Sequence, residues 1–400
     1  MERNVPLRGL ETNSIDNVYV FIADSVRYDA LPQRVSDRGR SFKMAAAALC
    51  TPQAMPSIAT GMDAPHHGVT WFNESLTNSL PTLFDLDVTT GYNEVVWEGR
   101  AVQDILNDPG TVDLETADEP FVVLEHDNGG HSPYVGYKDH TTAEMFSEIS
   151  DIEQLRELYL RTVEKSTDRF EQRLQVLERR GLLDNTLVIY LADHGELLGE
   201  HGGFVGHGLP AAPEVVYVPA VFIHDSLDNK HGETFLHHTD LFPTIQSLVD
   251  DSKPVVDCDG QSLLTALEPD RPVYTQGVMR PNAKYRDTVL DPNYDAPSIW
   301  TADGGYVINE TSKFVLPLTA MYDALFSGYT GSFGGGQSTS RKLLNTITHY
   351  LASERTYGTP SISKSEARQL TERVASVTVE PEQRSLDEET KEHLEQLGYR

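Results

Sequence analysis

The stretch DRFEQRLQVLERRGLLDNTLVIYLADHGELLGEHG, residues 168–202, decides how this chain folds. Its first part carries apolar residues three and four apart and stops at Gly181, the spacing of an amphipathic helix closed by a glycine C-cap. Its second part, TLVIYLADHGE (186–196), is a compact β-branched and aromatic run ending in Asp193 and reads as a buried strand. A helix feeding straight into a buried strand is the building unit of a parallel sheet.

The strand pattern recurs on both sides. NVYVFIADS (17–25) is a second buried run ending in an acid, PFVVLEHDNGGHSPY (120–134) a third that breaks into polar residues and glycines. VYVPAVFIHD (216–225) and the weaker NEVVW (93–97) add two more, and the helical spacing extends upstream over 143–181. Strands alternating with helices predict an α/β fold: a mostly parallel central sheet with helices on both faces. The character changes after PVVDCDGQSLLTALEP (254–269). PVYTQGVM (272–279), SIWTADGGYVINETSKFVLP (298–317) and FSGYTGSFGGGQSTS (326–340) predict short antiparallel strands and loops, and LDEETKEHLEQLG (386–398) a final helix. We place a boundary near 270, between a catalytic α/β domain (1–270) and a smaller C-terminal α+β subdomain (271–400). No internal repeat is visible.

Sheets of this kind bind ligands beyond the carboxyl ends of their strands. Asp24 ends the first strand, and Asp193 and His194 end the strand that starts near Thr186. Two carboxylates and a neutral imidazole suit one divalent cation, which would polarise an anionic ester and lower the pKa of a bound hydroxyl. Each Asp alone reads as a helix cap; together with His194, and with Glu196 close behind, they read as a metal site. His131, His201 and His207 lie in glycine-flanked loops after these strands, where an imidazole can meet a ligand anion or protonate a leaving group. We expect His66, His126, His140, His237 and His238 to be structural.

Composition narrows the function classes. With 61 acidic against 32 basic residues, only ten of them Lys, the net charge is −29 and is spread along the whole chain. Such a field repels nucleic acid and anionic membrane. Lysine depletion with an Asp/Glu excess points to a salt-rich cytoplasm, where screening tolerates self-repulsion. Cys50 and Cys258 form no disulfide framework and lack metal-site spacing. No apolar run reaches the 18 residues of a membrane span, and the first residues carry no apolar leader core, so we expect a cytoplasmic protein without membrane insertion.

One segment offers a nucleophile. ALCTPQAMPSIATG (48–61) places a thiol, Cys50, beside a hydroxyl, Thr51, at the start of a helix. A threonine hydroxyl titrates far above neutrality and needs metal coordination to attack.

Taken in order, NVYVFIADSVRYDAL (17–31), TPQAMPSIATGMDAPHHGV (51–69), SLPTLFDL (79–86), HSPY (131–134), the 168–202 stretch, HHTDLFPTIQSL (237–248) with DGQSLL (259–264), and LEQLGYR (394–400) resemble the motifs of the sulfatase and alkaline phosphatase superfamily. The resemblance implies an alkaline-phosphatase-like sheet, Asp24, Asp193 and His194 as metal ligands, and a nucleophile at the head of the 51–60 helix with its oxygen on the metal. It implies that His131 touches substrate and that His201 and His207 occupy the substrate side. Sulfatases mature a Cys or Ser to formylglycine within Cys-x-Pro-x-Arg, and here Ala54 stands where the Arg belongs. In the family the nucleophile precedes the Thr of the closing Thr-Gly by nine residues, and nine before Thr60 is Thr51. Thr51 is therefore the expected nucleophile, as in the phosphodiesterase and phosphoglycerol-transferase branches, with Cys50 a small buried side chain. Ser25 replaces the second Asp usual in sulfatases, and the lysine pair of arylsulfatases is missing, with Arg100 near one of its positions. That suggests one divalent cation (Mn, Zn, Ca or Mg) held by Asp24, Thr51, Asp193 and His194. Arg27 and Asp29 are expected to pair with each other.

The sequence thus predicts a metal-dependent hydrolase cleaving small phosphate or sulfate esters through a covalent intermediate on Thr51. The rivals are a sulfatase using matured Cys50, a phosphoryl or phosphoglycerol-type transferase, and a non-catalytic binder of anionic esters.

Overall fold

The structure is a computed structural model that describes residues 4–95, 100–207, 210–250, 256–279, 294–309, 344, 354–397 and 399. The end of the 93–97 run, the glycine-rich 326–340 segment and the 310–317 part of the run before it lie outside the described residues.

Seven strands form the central sheet: β1 (Asn17–Ala23), β2 (Arg40–Ala45), β3 (Thr89–Glu94), β4 (Phe121–Asp127), β5 (Thr186–Leu191), β6 (Tyr217–Ile223) and β7 (Leu236–His237). Their order is β7-β2-β6-β5-β1-β4-β3. β1 pairs in parallel with β4 and β5, β3 with β4, and β7 with β2, while β6 is antiparallel to both of its neighbours. Six strands therefore point one way and only β6 runs against them. Every residue of β1, β4 and β5 is buried, as a sheet covered on both faces requires. These continuous apolar runs gave no alternation to read, only length and abrupt polar ends.

The expected 143–181 helix is two helices. Thr142–Glu148 starts with a capping box between Thr141 and Glu144, and Asp151 caps the long helix Ile152–Arg180 by accepting the Glu153 N–H at 3.1 Å. Competing start signals inside one periodic run split it. Gly181 closes the long helix in the left-handed conformation (φ 70°). Phe170 on that helix packs on Phe21 of β1 and Tyr190 of β5, with ring centroids 5.2 and 5.1 Å apart.

A second sheet follows: β8 (Val273–Thr275), β9 (Ser298–Thr301), β10 (Gly304–Ile308) and β11 (Glu354–Gly358), all antiparallel in that order. Buried Trp300 stacks on Tyr357 and meets Tyr217 of β6 edge-on, joining the two sheets. The chain then returns. Glu382–Gln383 pairs with Glu74–Ser75, and Leu394 of the last helix (Glu388–Gln396) and Tyr399 join the core of the first sheet. Residues 382–399 thus pack against the first 270 residues rather than on the second sheet. No described helix is long and apolar enough to cross a membrane.

Candidate active site

β1 lies between β4 and β5, so the carboxyl ends of these three strands converge. Asp24 leaves β1 with its N–H on the Asp127 carbonyl at 2.9 Å. The turn after β4 passes so close that a Cβ on Gly129 (φ +46°) would sit 2.1 Å from the Asp24 carbonyl oxygen. Only glycine fits that approach. Asp193 and His194 follow β5, and Ser25, held at φ 60°, ties the strand ends together. It donates its N–H to Asp193 Oδ1 (3.2 Å) and its hydroxyl to Asp24 Oδ1 (2.9 Å).

Ligand atoms of Asp24, Asp193 and His194 all lie within 4.8 Å of one another, and all three side chains are buried. His194 Nε2 is 3.5 Å from both Asp24 Oδ1 and Asp193 Oδ2. Thr51, the first residue of the helix Thr51–Thr60, brings Oγ1 to 3.3 Å from His194 Nε2 and 3.5 Å from Asp24 Oδ2. The adjacent Cys50 is the N-cap, outside the cluster. Burial, with Asp193 and Asp24 nearby, pushes its thiol far above the usual range, so it stays protonated.

The site needs positive charge. Burial opposes ionisation of Asp24, yet the imidazoles of His131, His126 and His194 outweigh it and hold the carboxyl well below the usual range. Burial and the Asp24 charge push Asp193 up. Asp193 Oδ2 is buried with no hydrogen-bond partner among the described residues. An unsatisfied carboxylate oxygen facing a second carboxylate and an imidazole is the donor set a divalent cation completes, so these residues fit one.

His126 belongs here too, against the structural role expected of it. Its Nε2 is 3.5 Å from Asp24 Oδ2 and 3.9 Å from Asp193 Oδ2, and although burial opposes it, Asp24, Asp193 and Glu94 drive its pKa up to about 9. Its position next to the end of β4, the parallel neighbour of β1, was the available signal.

A second layer covers the cluster. His207 stacks against His194 at 4.3 Å and His131 at 4.9 Å. Glu196 Oε2 is 3.2 Å from His207 Nδ1, and its Oε1 accepts from the Tyr134 hydroxyl at 3.1 Å. Burial and the imidazoles of His194 and His131 push His207 well below its ordinary pKa. The Tyr399 hydroxyl reaches His207 Nε2 (2.9 Å) and His131 Nε2 (3.4 Å), while its ring packs on Phe72 at 4.9 Å. Nothing in the sequence marked Tyr399 beyond its place in a terminal motif.

The remaining expectations separate. The structure brings together Asp24, Thr51, His131, Asp193, His194 and His207, but not His201. That residue sits at φ 53° with Nε2 2.8 Å from Glu214 Oε2 and its ring edge-on to Tyr357, so the Glu214 carboxylate and the second unit engage it away from the cluster. Arg27 pairs with Asp29 at 2.7 Å and with Glu200 at 2.8 Å. Arg100 pairs with Asp108 at 2.5 Å.

The chain resembles known proteins in sequence and in fold. The family model described as Sulfatase matches residues 100–251. The chain is 32% identical to the low-salt glycan biosynthesis sulfotransferase Agl7 of Haloferax volcanii, over 98% of this chain and 99% of that protein. Its fold resembles the phosphonate monoester hydrolase of Agrobacterium radiobacter (TM-score 0.58, 14% identity, 74% of this chain and 87% of that one). It also resembles BT4656 in complex with its substrate D-glucosamine-2-N,6-O-disulfate (TM-score 0.57, 15% identity, 74% and 88%). Sulfate or phosphate ester chemistry is the activity class these findings support. Being 32% identical to a relative over 98% of its own length, the chain belongs to the sulfatase family, within the sulfatase and alkaline phosphatase superfamily.

Proposed function

We propose that the protein cleaves small sulfate or phosphate esters with Thr51 as nucleophile, passing the group through a covalent ester on its Oγ1. The observation that carries this reading is the position of Thr51 Oγ1 between His194 Nε2 and Asp24 Oδ2 at the start of a ten-residue helix, with Cys50 set apart and its thiol protonated. Asp24, Asp193, His194 and the Thr51 hydroxyl would hold one divalent cation, which when bound lowers the hydroxyl pKa and draws charge from the ester oxygens.

In the first step the Thr51 Oγ1 bond to sulfur or phosphorus forms as the bond to the alcohol oxygen breaks. The Thr51 proton is taken up by a neutral imidazole and delivered to the departing oxygen. We assign this shuttle to His207, which Glu196 orients at Nδ1. His131 faces the same space and meets the ester anion, and the positive end of the helix macrodipole adds to it. In the second step a water or alcohol oxygen bonds to the group as the bond to Thr51 Oγ1 breaks, and the proton of the attacking oxygen passes through the imidazole to Oγ1.

Transfer to a sugar hydroxyl is the second reading, favoured by the end-to-end similarity to Agl7, a protein named as a sulfotransferase. Turnover of nitrophenyl sulfate, nitrophenyl phosphate and bis-nitrophenyl phosphate, with and without added sugar alcohols, tests both. Metal-dependent release of nitrophenol is expected, and its stimulation by acceptor identifies transfer. No metal-dependent turnover of any ester would leave only a binding role.

A further inference from the structure

The opposite end of the Thr51–Thr60 helix, about 15 Å from Thr51 along its axis, carries a second group of ligand-type side chains. Gly61 closes the helix at φ 71°, and the chain enters the short helix Ala64–His67 with Asp63 at its N-cap. The 257–260 loop packs on this turn: the Gly61 carbonyl accepts the N–H groups of Asp259 (3.0 Å) and Gly260 (3.1 Å). Asp259 Oδ2 accepts the Asp63 N–H at 2.8 Å and lies 2.6 Å from His66 Nδ1.

His66 Nε2 is 3.0 Å from the Val374 carbonyl, which can only accept, so Nε2 carries the hydrogen. A neutral ring then turns the Nδ1 lone pair on the Asp259 carboxylate, and two lone pairs 2.6 Å apart need a positive species between them. A proton is one answer and a cation the other. Asp63 decides between them. It is 8% exposed, caps nothing with its side chain, and its Oδ1 is buried with no hydrogen-bond partner among the described residues. The proton shared by His66 and Asp259 leaves that oxygen without a hydrogen bond, His237 Nδ1 standing off at 4.0 Å, at the cost of an unpaired buried polar group. Ligand atoms of Asp63, His66 and Asp259 all lie within 4.8 Å of one another, close enough for one ion to answer all three.

We propose that Asp63, His66 and Asp259 form a second divalent-cation site with a structural role. One imidazole and two carboxylates suit a borderline cation such as Zn²⁺, with water completing the shell because His66 and Asp259 are partly exposed. The His66 Nε2–H contact to a backbone carbonyl is the outer contact that metal-bound imidazoles make to set their tautomer. The ion ties the far end of the nucleophile-bearing helix to the 257–260 loop and, through Val374, to the helix Lys364–Ala375 of the second unit.

Zn²⁺ titration of the chelator-stripped full chain tests this, with bound metal counted by mass spectrometry of the elements. Wild type should take up two equivalents per chain, Asp24→Asn/Asp193→Asn one, and the triple variant with Asp63→Asn none. Zn²⁺ should raise the Tm of the double variant and leave that of the triple variant unchanged. No uptake by the double variant overturns the proposal, as does uptake undiminished by Asp63→Asn. Asp63→Asn keeps the side-chain shape; should it fail to fold, His66→Gln in the double variant gives the same comparison. The inference stands apart from the proposed function: failure of the Thr51 site lowers the wild-type count and leaves that of the double variant at one, so the two readings fail separately.

Discussion

Thr51 Oγ1 and His194 Nε2 lie 3.3 Å apart although 143 residues separate them in the chain. One is the first residue of a helix and the other follows a central strand; the convergence of β1, β4 and β5 at their carboxyl ends brings them together.

Thr51→Ala should lower kcat for ester cleavage by roughly 10³-fold or more, whereas Cys50→Ala should stay within a few-fold of wild type. The peptide spanning residues 44–80 should show an unmodified Cys50 by mass spectrometry. An 18-dalton loss at Cys50, the sign of thiol-to-aldehyde conversion, would reverse the assignment, as would activity surviving in Thr51→Ala but not in Cys50→Ala.

His126 sits 3.5 Å from Asp24 and adds positive charge opposite two carboxylates. His126→Gln should weaken cation affinity about 10- to 100-fold with the fold retained by circular dichroism. Unchanged affinity in a competition titration would return His126 to a purely structural role.

Tyr399 closes the layer over His131 and His207. Tyr399→Phe removes one hydroxyl and should cost about 1 kcal/mol of stability. Tyr399→Ala also empties the space against Phe72 and Trp71 and should cost about 3–5 kcal/mol. Chemical unfolding measures both, and equal losses would show that the ring packing contributes nothing.

His67 and His238 each make stability fall as the solution is acidified. Burial lowers both from the ordinary 6.5 to about 3. His238 accepts the Ala47 N–H at Nδ1 (3.2 Å) and donates from Nε2 to the Ala192 carbonyl (2.9 Å), a pairing only the neutral ring can make. The unfolded chain binds these protons first as pH falls. Their contribution is therefore intact above about pH 6.5 and is lost from there down towards pH 3, by up to about 1.4 kcal/mol per pH unit for each histidine. Denaturant unfolding of wild type and His238→Gln at pH 7.5 and 5 isolates the His238 share: the variant should lose less stability on acidification, and equal changes in the two proteins contradict it.

With a net charge of −29, the folded chain should gain stability from salt. The Debye length falls from about 10 Å at 0.1 M to about 3 Å at 1 M, which removes most of the self-repulsion. We expect Tm to rise between low and molar KCl; a flat or falling Tm would sink the reading of a salt-adapted surface.

The sequence by itself determined the sheet and the polar ends of its strands. Short β-branched and aromatic runs that stop at Asp24 and Asp193 read as buried strands, and a parallel sheet puts such ends on one edge. Counting back nine residues from Thr60, the spacing that the family resemblance implies, made Thr51 rather than Cys50 the expected nucleophile. Side-chain neighbours across the chain were another matter. His126 and His201 look alike in sequence, each a histidine in a polar break beside glycine or acid. Strand order brought His126 to the carboxylates beside β1, and a left-handed backbone turn gave His201 to Glu214. Tyr399 and the pairing of His66 with Asp259 also join residues more than 190 positions apart, and no local pattern encodes which loops a folded sheet will press together.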